Sequence, residues 1–205
     1  MRRESTIPSR YEILDYVRTI SAAVDTGISM TGTTLKIELD YKKTNTKAYS
    51  CFWGASDSDT KWCANPYFNQ STALALYIGS SAAVNTSYIS INQRRVYSVE
   101  INKSNHTFSV NNNGSVSIGS WSGNISTNNI FLFGQNQGDN HITQTITLDC
   151  FGCQITLDGV LVRDYVPAKD TVTGLYGLYD NCGSICPLTS TPFYIQANRI
   201  IGGNL

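Results

Sequence analysis

The sequence predicts an all-β fold, a two-layer sandwich of antiparallel strands. Apolar residues recur at every second position through most of the chain. Asn-Gly and Asp-Gly pairs separate these runs, and such pairs tolerate the positive φ of tight hairpins. Only one stretch has helix-compatible spacing, and many short strands with almost no helix point to a sandwich.

That stretch is residues 11–20. Ile13, Leu14, Val17 and Ile20 would share a helix face, but Tyr16 and Val17 favour a strand, which is the reading adopted. Asp25-Thr26-Gly27 reads as a turn. Leu35, Ile37, Leu39 and Tyr41 then alternate with Lys36, Glu38 and Asp40, the pattern of a half-buried strand. Tyr97, Val99 and Ile101 repeat it, and Asn113-Gly114 joins Phe108-Ser109-Val110 to Val116-Ser117-Ile118. Ile130-Phe131-Leu132-Phe133 is apolar on both faces and predicts a central, doubly covered strand, with residues 134–138 as a loop. Ile146, Leu148 and Cys150 face inward, as do Ile155 and Leu157 before the Asp158-Gly159 turn. Val160, Val162 and Tyr165 form a strand expected to end at Val166-Pro167, where proline removes a ladder donor. Gly174, Gly177 and Tyr179 punctuate a closing strand, and residues 181–187 read as a loop.

Composition narrows the function. The 205 residues suffice for one sizeable core, and residues 1–205 are expected to form a single domain, with 1–8 as an N-terminal arm. Charged residues are only 15 %, so Ser, Thr and Asn must build the polar surface, which suits hydrogen-bonded contacts such as those to sugars. Lys and Arg total 15 against 15 Asp and Glu, and this balance argues against a nucleic-acid partner. No apolar run is long enough to span a membrane. The opening MRRESTIPSRYEILDY has no apolar stretch behind its charges and does not read as a secretory signal. The six cysteines are therefore expected to be mostly thiols.

Two segments carry a family resemblance, IPSRYEILDYVRTISAAVDTGI at 7–28 and LVRDYVPAKDTVTGLYGLYD at 161–180. With the strand at 36–41, the hairpin about Asn113-Gly114 and the strand at 130–134 between them, they resemble the laminin G-like, concanavalin A-like jelly-roll domains encoded in bacteriophage and prophage genomes, especially of gut bacteria. The resemblance covers almost the whole chain. It implies a two-sheet antiparallel jelly-roll sandwich in a tail, fibre or other virion-surface protein, made in the host cytoplasm and released by lysis. The function it implies is a non-catalytic structural one, contributing to assembly and host attachment. Its partners would be other virion proteins, further copies of the chain, and a host-surface glycan. The alternatives are a lectin-like carbohydrate-binding module and, third, a glycoside hydrolase. Residues 181–205, NCGSICPLTSTPFYIQANRIIGGNL, diverge from the usual pattern.

Candidate chemistry is sparse. Hydrolysis of a sugar bond needs two facing carboxylates. Glu38 and Asp40 share a strand face, but the position three beyond Asp40, where glycosidases on this fold carry a second Glu, is Lys43, so a solvated face is the expectation and no catalytic residue is assigned. His106 and His141 stand in no nucleophile motif. Cys150-x-x-Cys153 and Cys182-x-x-x-Cys186 could hold zinc tetrahedrally, yet residues three apart on a regular strand face opposite ways. A Cys182–Cys186 or Cys51–Cys63 disulfide is the other alternative to plain thiols. Asp57, Asp59 or Asp139 could offer calcium oxygen ligands, but none follows a calcium-loop spacing, so no cofactor is assigned. Sugar contact would need an aromatic platform with amide or carboxylate partners. Trp53, Trp62, Tyr67 and Trp121 read as loop or near-loop residues, and Gln135, Asn136 and Asp139 share one polar loop. Trp62, Tyr67, Trp121, Asn136 and Asp139 are the candidate carbohydrate contacts.

Overall fold

The computed structural model describes residues 7–45, 50–57, 92–104, 125–138 and 141–182. It also gives the backbone path at 67–68, 74–75, 77–78, 81–82, 107–110, 115–117, 193–194 and 200–203. In chain order the strands are β1 (Tyr11–Ile13), β2 (Tyr16–Thr19), β3 (Val24–Asp25), β4 (Thr34–Lys43), β5 (Ser50–Cys51), β6 (Trp53–Gly54), β7 (Tyr67–Phe68), β8 (Leu74–Ala75), β9 (Tyr77–Ile78) and β10 (Ser81–Ala82). They continue with β11 (Arg94–Asn102), β12 (Thr107–Val110), β13 (Ser115–Ser117), β14 (Phe131–Leu132), β15 (Gln135–Asn136), β16 (Ile142–Thr143), β17 (Leu148–Leu157), β18 (Val160–Asp170), β19 (Tyr176–Asp180), β20 (Phe193–Tyr194) and β21 (Ile200–Gly203). No helix occurs among the described residues.

An eleven-stranded antiparallel sheet runs β13-β12-β11-β4-β17-β18-β19-β20, with β1, β2 and β21 attached to its side. β4 is its spine. Its alternation in sequence becomes strict alternation in burial, with Leu35, Ile37, Leu39 and Tyr41 inward. β17 and β18 are joined at Asp158 and Gly159, with φ of 46° and 79°, as a turn with two left-handed residues requires. The Asp158 carboxylate accepts the Thr33 and Thr34 amides at 2.8 Å each, which fixes this hairpin to the start of β4.

The second layer centres on β3-β14-β6. Ile130, Phe131, Leu132 and Phe133 are all at 0 % exposure, as a doubly covered strand requires. Phe52 joins the layers. Its ring lies 4.6 Å from Tyr41 and 5.6 Å from Tyr97, centre to centre, both on the large sheet. Burying one such aromatic is worth about 1.5–3 kcal/mol, so this cluster is a principal tie between the sheets.

Four expectations are corrected. β17 is not regular. Cys150 pairs with Tyr41 and Gly152 with Asp40, so Phe151 is an extra residue in a bulge. The bulge resets the alternation, and Cys150 and Cys153 point into the same core instead of opposite ways. β18 does not stop at Pro167. It continues to Asp170, because the polar edge of Pro167 faces away from β19 and its carbonyl accepts the Leu14 amide at 3.0 Å. The missing N–H therefore falls beside the corner between β1 and β2 and costs the β18–β19 ladder nothing. Trp53 is a fully buried strand residue of β6. Gln135 and Asn136 form β15, paired with β16, within the span expected to be a loop.

Three of the six cysteines are thiols, as expected, and Cys182 is not. Cys51, Cys150 and Cys153 are buried thiols, which removes a Cys51–Cys63 bridge. Cys182 is disulfide-bonded, and Cys63 and Cys186 lie outside the described residues.

Candidate functional site

One end of the second layer gathers polar loop residues from four distant segments. The Asp25–Gly27 turn is built by side chains: Asp25 Oδ1 accepts the Gly27 amide at 2.8 Å, and Gly27 has φ of 66°. Thr26 Oγ1 donates to the Ile130 carbonyl at 2.7 Å and accepts the Ile28 amide at 3.1 Å, binding this turn to the entry of β14. Residues 125–129 lie against Asp57. Ser126 Oγ donates to Asp57 Oδ1 at 2.6 Å, and the Thr127 amide to Oδ2 at 3.2 Å. Asn128 Nδ2 donates to the Ser56 carbonyl at 2.8 Å, and Asn129 Nδ2 reaches Asp25 Oδ2 at 3.4 Å.

Asn136 is the keystone of this rim. It is 3 % exposed. Its Nδ2 donates to the Asn129 carbonyl at 3.0 Å, its Oδ1 accepts the Gly138 amide at 3.0 Å, and its own carbonyl accepts the Ser56 amide at 2.6 Å. Its side chain thus ties the 125–129 loop to Gly138, and its backbone ties both to Ser56, just beyond β6. The His141 amide donates to the Gly138 carbonyl at 2.8 Å, and the His141 side chain is exposed.

Asn136 is therefore placed beneath the rim. Trp62, Trp121 and Asp139 lie outside the described residues, as do Asp59 and His106. Of Tyr67 the backbone alone is placed, in β7, paired with Cys51 and Ala75. Sequence reasoning missed Asp25, Ser126, Asn128 and Asn129. Their signal was the run Ser126-Thr127-Asn128-Asn129, a cluster of short polar side chains that hydrogen-bond nearby backbone. Chemically the rim offers amide groups and hydroxyls held by buried neighbours. Among the described residues the Oδ1 atoms of Asn128 and Asn129 accept no hydrogen bond, so both remain available to a hydroxyl-bearing ligand.

The outer face of the large sheet is a lattice of compensated charge. Glu38 meets Lys36 at 3.1 Å. Asp40 receives Arg94 through bonds of 2.9 and 2.7 Å, and Asp149 receives Arg18 at 2.6 and 3.0 Å. Glu38 and Asp40 thus share a face, as expected, each beside a cation. Inside, burial pushes the Cys150 thiol up to about 12 and the Cys153 thiol well above its ordinary value. Both are held protonated, whereas zinc binds thiolate.

No family model matches the chain, and no curated protein matches it. Solved structures do. A structure of NanB with optactamide superposes with a TM-score of 0.51 over 71 % of this chain, at 11 % identity, and the chain spans 25 % of NanB's length. The heptameric SAP-like pentraxin of Limulus polyphemus aligns over 70 % of each chain at 12 % identity, with a TM-score of 0.40. The chain has an all-β, antiparallel jelly-roll sandwich fold.

Proposed function

We propose that the chain is a non-catalytic surface domain of a bacteriophage particle, contributing to assembly and to attachment at the host surface. The observation that carries this reading is the meeting of the two segments that bear the family resemblance. β1 pairs with the end of β18 in the register Tyr11↔Asp170, and the Thr171 amide and hydroxyl both donate to the Arg10 carbonyl, at 2.9 and 2.7 Å. Motif residues far apart in sequence thus form one unit, which supports their being the framework of that domain type. The pairing of Glu38 with Lys36 and of Asp40 with Arg94 supports a role without acid–base chemistry. In this reading the partners are other virion proteins and further copies of the chain, and the protein reaches the outside by host lysis.

The second reading is a lectin-like module, favoured by the Asn128–Asn129 rim with its open amide acceptors. A glycan-array screen of the purified chain, with light scattering on the same sample, tests both. Saturable binding to one glycan, lost in Asn129→Ala, Trp62→Ala or Trp121→Ala, makes recognition the main role. A folded sample with no glycan signal and a discrete oligomeric mass supports assembly. A monomer that binds no glycan overturns both readings.

A further inference from the structure

Gln135 is at 0 % exposure, and neither Nε2 nor Oε1 has a hydrogen-bond partner among the described residues. Directly opposite it in the β15–β16 register stands Thr143, whose buried Oγ1 is likewise without one. Residues paired in register present their side chains on the same side of the sheet, so these three polar atoms face one space. Native proteins seldom leave such groups unpaired, and a leucine at 135 would fill the site without the desolvation penalty.

The local backbone is committed to placing Gln135 there. Phe133 turns the chain from β14 into β15 at φ of 65°, a left-handed conformation costly for a phenylalanine. Its amide bonds the Phe52 carbonyl at 2.6 Å and its carbonyl takes the Ile146 amide at 3.0 Å, which holds it in place. Gly134 follows, so close to Ala23, Ile142 and the Thr143 carbonyl that a Cβ would meet each at 3.2–3.3 Å.

We propose that Gln135 and Thr143 form an internal binding site for ordered water. One amide donor, one amide acceptor and a hydroxyl match the roughly three hydrogen bonds that a buried water makes. The next residue along, Asn136, braces the polar rim, so the water joins β15 to β16 directly behind that rim.

A high-resolution crystal structure of the unaltered chain is the direct test, with thermal unfolding of Gln135→Met and Thr143→Val as the second measurement. The expected result is an ordered oxygen within about 3.2 Å of Gln135 and Thr143. Each variant should also lower Tm by about 2–6 °C. Should Gln135→Met unfold at or above the parent temperature, or should the crystal show no water between these side chains, the proposal fails. If the variants do not fold, the crystal decides alone.

Discussion

Arg10 holds Asp170 through two parallel hydrogen bonds of 3.1 and 2.6 Å across a sequence separation of 160 residues. The same carboxylate accepts the amides of Val172 at 2.9 Å and Thr173 at 3.3 Å, so it caps the turn that leads from β18 to β19. Arg10 first, and these amides after it, keep the Asp170 carboxyl well below the usual range.

A carboxylate whose folded pKa is depressed stabilises the protein above its unfolded value and loses that contribution as pH falls through the folded one. Stability should therefore decline below about pH 4. Urea unfolding of Asp170→Asn at several pH values should show a lower midpoint at neutral pH and a flatter acid limb. An unchanged acid limb would place the acid sensitivity elsewhere.

Lys43 closes the inward row of β4 at 0 % exposure, and burial lowers its pKa to about 8. Between that value and the unfolded one near 10.5 the unfolded chain binds more protons, so stability should rise with pH across this window. Burial raises the Tyr41 and Tyr97 hydroxyls, so the unfolded chain ionises first above about pH 10 and stability should then fall. Lys43→Met should lose the rising limb and keep the fall, as read from chemical denaturation between pH 7 and 11.

Trp53 separates packing from hydrogen bonding. It is fully buried against Leu132, yet its indole Nε1 has no partner among the described residues. Trp53→Ala should cost about 3–5 kcal/mol. Trp53→Phe should cost clearly less, since it forfeits no hydrogen bond. Equal losses in the two variants, measured by urea unfolding, would mean that the indole nitrogen is bonded in solution.

Gly202 allows β21 to dock on β2. A Cβ there would meet Leu14 Cδ1 at 2.5 Å and Tyr176 Cδ1 at 2.6 Å. Gly202→Val should detach this strand while leaving the spine of the sheet intact. Hydrogen exchange should quicken at β2, which pairs with β21, and stay slow at β4.

The parts that were legible in sequence were those where one residue type settles one outcome. Leu35 to Tyr41 alternate because one face of β4 is wet, and Asp158-Gly159 turns because both residues accept positive φ. The relative facing of Cys150 and Cys153 was misread because a bulge leaves no mark in composition, and one extra residue inverts every later position. Trp53 was misread because Gly54, Ser56 and Asp57 surround it with turn residues, although tertiary pairing with β14 decides its state. Pro167 misled because its cost depends on which neighbour its edge faces. At the rim, Asn136 was visible as a polar residue, but whether its amide faced a ligand or the Asn129 carbonyl depends on a loop folded from other segments.

The bulge gives β17 a tolerance of length that β4 lacks. Remove Phe151, and Cys150, Gly152 and Cys153 would fall into plain alternation opposite Tyr41, Asp40 and Leu39, with every inward side chain still inward. Remove a residue from the middle of β4, which has no bulge to give up, and inside and outside exchange for all that follows. Phe151 is the spare link of β17. It is spent on the outer surface, where its ring lies 4.0 Å beneath the Arg94 guanidinium and 6.1 Å from Tyr16. A lineage that dropped it would give up that shelf and keep its core.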